Sequence, residues 1–201
     1  MSVSIIGFCL FAALLELDIT YAFQTLVSRP IVAGPLFGLL TGDVMAGLQV
    51  GIFAELLLTD ISPLGGIIPP SGVIAVAIPM ILHFLGIELY FGFFFGMIAS
   101  VLYALLETFM RKTRFKWLVF VEEKIVHRPT DIKRIIAAAL LLSFSMTFIF
   151  VSLMSWIAAN FMFAAFSFIT PKIHFAFRLA YSAVPWIGLT ALIPVFRMKA
   201  R

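Results

Sequence analysis

Charge is the scarcest commodity in this chain. Only 12% of its 201 residues are Asp, Glu, Lys or Arg, where a soluble domain carries about a quarter. Cysteine is nearly absent: Cys9 stands alone, which excludes a disulfide within the chain and any metal cluster built on cysteine. Its neighbours Phe8, Leu10 and Phe11 predict a small buried hydrophobe rather than a reactive thiol. No zincin-type His/Glu motif, no Cys-x-x-Cys and no phosphate-cradling glycine loop occurs. Metal and nucleotide chemistry therefore have no support in the sequence, and no cofactor or metal is expected. The histidines His83, His127 and His174 lie far apart, and His83, between Leu82 and Phe84, reads as a core histidine with one satisfied nitrogen. A membrane-embedded enzyme would need a nucleophile–base or metal-ligand grouping, and none is visible.

What the chain does have is hydrophobic length. Apolar residues make up 63% of it, with 23 phenylalanines and a mean hydropathy of +1.14. Apolar segments run over about 3–24, 31–58, 64–86, 88–107, 135–168 and 176–196. This predicts an all-α polytopic membrane protein of about six hydrophobic segments, some broken or re-entrant. The first run has no basic residues before it and no small-residue cleavage site after it, so 3–24 is expected to be a retained membrane segment. The run 31–58 holds Gly34-Pro35, Gly38, Gly42, Gly47 and Gly51, a density that suits close helix contact or a broken helix. Consecutive Pro69-Pro70 argues against a straight helix at the start of the next run.

The net charge of +4 and pI near 9.5 do not indicate nucleic acid, because the cations fall mostly in two short patches. Arg111, Lys112, Arg114, Lys116, Lys124, Arg128, Lys133 and Arg134 form the first, and Arg197, Lys199 and Arg201 the second. Short stretches rich in Lys and Arg belong in the cytoplasm. The expected division is therefore a membrane region 1–110 with the functional site, a basic cytoplasmic loop 111–134, and C-terminal membrane segments with a basic tail over 135–201. The loop also offers a steering surface for an acidic or phosphorylated partner. Counting back through four crossings puts the N-terminus in the cytoplasm; a re-entrant hairpin over 31–58 would reverse that.

Carboxylates inside apolar runs are costly and point to function. Glu55 sits within Gly51-Ile52-Phe53-Ala54-Glu55-Leu56-Leu57-Leu58, and Asp43 precedes it in the same run. Glu55 reads as a substrate-binding or gating carboxylate, or as a structural acid paired with Arg29 or Gln24. Asp43, after Gly42, reads as the cap of a broken helix or as a ligand. Gln24 can donate and accept, as a polar ligand demands, or it can join helices. Glu16 and Asp18 read as cavity-facing groups or as the end of a short first span.

Three ordered stretches carry a family likeness. Phe23-Gln24-Thr25-Leu26-Val27-Ser28-Arg29-Pro30-Ile31-Val32-Ala33-Gly34-Pro35 comes first. Gly38-Leu39-Leu40-Thr41-Gly42-Asp43 leads into Gly47-Leu48-Gln49-Val50-Gly51-Ile52-Phe53-Ala54-Glu55-Leu56, and Gly65-Gly66-Ile67-Ile68-Pro69-Pro70 follows. Over about residues 12–80 the chain resembles the IIC membrane subunit of mannose-family (mannose/fructose/sorbose) sugar phosphotransferase systems. The resemblance implies a sugar-translocating permease part that carries no phosphoryl group itself. It implies a IID-type membrane subunit, soluble IIA and IIB proteins, an oligomeric complex in a bacterial inner membrane, and a sugar phosphorylated from IIB. Gln24, Asp43 and Glu55 are then the expected substrate-binding residues. Two departures stand out: Ala54 where the family often has Thr, and Ser71 where it often has an acid. With little resemblance visible after residue 110, they keep open a reduced relative with a regulatory or scaffold role.

Overall fold

The computed structural model of the chain describes residues 3–20, 25–59, 68–127, 132–166 and 170–198. Within them lie seven helices and no strand: α1 (Val3–Thr20), α2 (Pro30–Thr41), α3 (Val44–Leu58), α4 (Gly72–Phe84), α5 (Leu89–His127), α6 (Ile132–Phe166) and α7 (Pro171–Met198). The protein is an all-α membrane protein. The helices α5, α6 and α7 contain stretches long and apolar enough to span a bilayer, whereas α2, α3 and α4 are apolar but shorter.

The glycine-rich run divides where its sequence predicts. Gly42 ends α2 in the left-handed region at φ 85°, a conformation glycine adopts without a Cβ penalty. Asp43 then opens α3 by accepting from Ala46 N–H at 2.9 Å. At about 1.5 Å per residue, α2 is about 18 Å long and α3 about 22 Å, so the pair is a hairpin that returns to its own side. Its seam is backbone against backbone: a Cβ on Gly34 would strike the Gly47 carbonyl, with Gly51 Cα at 2.8 Å, and one on Gly47 would strike the Gly34 carbonyl. Small residues four apart permit this approach, as in tight membrane helix pairs.

The centre of the bundle is α4. Val73 to Leu82 are all buried, and a helix apolar all round belongs in a core. Pro79 interrupts it and leaves the Ala75 carbonyl without its usual donor. On α5, Gly92 and Gly96 absorb the proline: a Cβ on Gly96 would lie 2.5 Å from Pro79 Cδ and 3.0 Å from Ala75 O. Residues 68–71 preceding α4 are not helical, as Pro69-Pro70 requires. Cys9 is fully buried.

Two expectations change. The basic segment 111–134 is helical through His127, because α5 continues without a break past Arg111. The hydrophilic stretch is therefore mostly a helical extension about 58 Å long in total with its membrane part, rather than a loop. Second, the hairpin α2–α3 alters the crossing count. Phe8 of α1 packs on Phe84 at the end of α4, with ring centroids 5.0 Å apart. The end of α4 leads directly into the start of α5, opposite the basic end. The start of α1 thus lies at the face opposite the basic extension, the outcome expected of a re-entrant hairpin over 31–58 rather than of six simple crossings.

Candidate functional site

Polar side chains gather where α2 and α4 begin and α1 and α3 approach their ends. Arg29 is the N-cap residue of α2 but makes no cap with its own side chain. Glu55 supplies it from α3. One carboxylate oxygen of Glu55 accepts from Arg29 Nη1 at 2.7 Å, and the other accepts from Ile31 N–H at 3.3 Å. A carboxylate there meets both a guanidinium and the positive end of a helix, the second contributing about 0.3–1 kcal/mol. Of the two readings of Glu55, the structure realises the pairing with Arg29. It does not exhaust the group, since a carboxylate has about four acceptor positions. The Glu55 side chain is 18% exposed and that of Arg29 is 56% exposed, so the pair is accessible from the surface.

The segment entering α2 is tied down next to it. Thr25 donates to Asp18 Oδ1 through its backbone N–H at 3.1 Å and its hydroxyl at 2.9 Å. Leu26 takes φ 66°, the one non-glycine residue with positive φ among the described residues, and its side chain is exposed. On the other flank, Ser71 Oγ donates to Glu16 Oε2 at 2.6 Å and accepts from Ile74 N–H at 3.3 Å, capping α4. Gly72 brings α4 onto α2, for a Cβ there would lie 2.6 Å from Pro30 Cδ.

Asp43 is elsewhere. It caps α3 at the opposite end of the hairpin, and its second oxygen accepts from His83 Nε2 at 3.1 Å. Twelve residues of helix separate it from Glu55, about 18 Å, so the two carboxylates do not share a site. The capping reading of Asp43 is the one the geometry supports. His83 has its one satisfied nitrogen, Nε2, against the Asp43 carboxylate, but it is not a core residue: its side chain is 32% exposed. Gln24 lies outside the described residues. The sequence reading missed the Ser71–Glu16 contact as a contact. Its one local signal was Ser71 preceding the apolar run of α4, the position a helix N-cap takes. Among the described residues, no three His, Cys, Asp or Glu side chains group as metal ligands.

The arrangement offers the chemistry of hydrogen-bond donors and acceptors. It combines a part-exposed carboxylate with spare acceptor capacity, a cationic donor and hydroxyls, in an otherwise apolar bundle.

The comparisons with known proteins agree in kind. The family described as "PTS system sorbose-specific iic component" matches residues 2–200. The match includes the region after residue 110, where little resemblance was expected, and so removes one ground for a reduced relative. The chain is also similar to "Putative N-acetylgalactosamine permease IIC component 2" of Escherichia coli (strain K12), 39% identical over 54 residues. That alignment spans 27% of this chain and 41% of the relative's length.

Proposed function

The chain belongs to the sorbose-specific IIC component family of sugar phosphotransferase systems, and from that premise we propose that it is the subunit through which the sugar crosses the bacterial inner membrane. Sugar binds among the elements between residues 16 and 72. Movement of the α2–α3 hairpin with its surroundings then presents it to phospho-IIB at the cytoplasmic face. The observation that carries this reading is Glu55: an intramembrane carboxylate, held at a helix start by a half-exposed Arg29, with acceptor positions to spare. Charge-assisted bonds from two hydroxyls suit such a group. Gln24 is a second ligand in this reading, and Asp43 keeps the tip of the hairpin in shape. The name of the E. coli relative makes N-acetylgalactosamine, and the family description sorbose, the first sugars to try.

The partners follow from the same reading: a IID-type membrane subunit beside this chain, and soluble IIA and IIB proteins below it. Exposed apolar residues such as Leu141, Ile149, Leu153 and Trp156 on α6, and Leu179 and Trp186 on α7, leave broad faces for lipid and for a membrane partner. Uptake of labelled N-acetylgalactosamine and sorbose, in cells carrying the whole system with and without this chain, tests the reading. Uptake of one sugar should depend on the chain; equal uptake of both without it would refute transport.

Topology gives a second expected result. The basic end of α5 belongs in the cytoplasm, so the start of α1 faces outward. In a Cys9→Ala background, Thr113→Cys should resist an impermeant thiol reagent in intact cells while Ser4→Cys reacts. The reverse labelling pattern would invert the whole orientation.

A further inference from the structure

Glu16 has no structural reason to be charged. Ser71 caps α4 with an oxygen lone pair, and its single proton goes to Glu16 Oε2. A glutamine would accept that proton equally well at far lower desolvation cost. Among the described residues no cation lies within ion-pair distance of Glu16. The charge that acts on it is Glu107 of α5, of the same sign and already paired with Arg111 and Arg114. A half-buried carboxylate with one neutral donor is an acceptor awaiting further donors.

Its position says which donors. Ser71 immediately precedes Gly72, which packs against the Pro30 ring. Pro30 lies between Arg29 and Ile31, the two residues that hold Glu55. The carboxylates of Glu16, from α1, and Glu55, from α3, are therefore both tied to the start of α2, the first through Ser71 and Gly72 and the second through Arg29 and Ile31. A sugar needs acceptors from more than one side, because its hydroxyls point in different directions around the ring.

We infer that Glu16 is a second sugar-hydroxyl ligand, oriented by Ser71, and that it contacts a different hydroxyl from the one Glu55 takes. The inference rests on the reading of this end of the bundle as the sugar site. The test is binding of N-acetylgalactosamine and sorbose, together with their monodeoxy forms, to membranes carrying the whole complex, per folded chain. Glu16→Gln should weaken binding about tenfold to a hundredfold, the loss expected for a charged acceptor. Ser71→Ala, which removes the α4 cap and the neutral hydrogen bond that positions Glu16, should cost about twofold to tenfold in affinity per folded chain. For one monodeoxy form Glu16→Gln should change nothing, and that form should differ from the one insensitive to Glu55→Gln. Equal weakening for every form would make Glu16 a support of the fold and overturn the inference. Wild-type binding by Glu16→Gln, with Glu55→Gln still defective, would overturn it and leave the site itself standing. Binding of neither sugar by the wild-type complex would defeat both.

Discussion

Glu55→Gln should lower sugar uptake about tenfold to a hundredfold per folded molecule. A hydrogen bond to a charged acceptor contributes about 1.5–3 kcal/mol, and every 1.4 kcal/mol is a factor of ten. The structural cost is smaller. Gln can still accept from Ile31 N–H at the start of α2, and what it loses is an ion pair whose Arg29 side chain is 56% exposed. Such pairs contribute about 0–1 kcal/mol, enough to change protein level slightly and not enough to change turnover of the molecules that fold. Glu55→Leu removes the ion pair and the cap together, yet it also removes a costly intramembrane charge. Its uptake should fall at least as far, with insertion unimpaired. A purely structural Glu55 would show the opposite pattern: less protein, normal uptake per molecule.

Gly34→Ala should destabilise the protein by about 1–3 kcal/mol, the usual cost of overpacking, and Gly34→Leu by more. The added Cβ meets the Gly47 carbonyl and Gly51 Cα, and backbone cannot rotate away as a side chain can. Separating the two helices would also expose the hairpin's polar seam, so the loss should appear as reduced folded yield and a lower melting temperature in detergent. Gly7→Ala is the control. A Cβ on Gly7, inside α1, meets nothing within 4 Å, and Ala favours a helix interior over Gly by about 1 kcal/mol. Equal stability of the Gly34 and Gly7 variants would mean that the two helices do not pack as described.

Much of this seam was legible because its signals are local. Glycines four apart, Gly42-Asp43 and Pro69-Pro70 each act through their own backbone, and the hairpin and the non-helical entry to α4 lie where those residues stand. The pairing of Arg29 with Glu55 was among the readings as well, since a buried acid in an apolar run needs a nearby cation. The end of α5 was not legible. Arg, Lys and Glu are good helix formers, so charge after Met110 marks departure from the apolar layer, not departure from the helix. The side on which α1 begins turns on parity: one hairpin that turns back shifts the crossing before it, and a re-entrant hairpin over 31–58 was the alternative that the sequence left open. The Ser71–Glu16 contact joins residues 55 apart in sequence, and no periodicity within either segment reports on it. The separation of Asp43 from Glu55 could have been read in advance. Both belong to one helical run, and twelve residues of helix place them about 18 Å apart.

Equilibrium binding of the transported sugar to membranes, compared between the two poles of the hairpin, tests the account most directly. Glu55→Gln removes charge at the α2 entrance. Asp43→Asn removes charge at the tip while keeping a side chain that caps α3 about as well. Per folded chain, the account predicts a tenfold or greater loss of affinity for Glu55→Gln and wild-type affinity for Asp43→Asn. Loss for Asp43→Asn with wild-type binding by Glu55→Gln would place the sugar at the other end and contradict it.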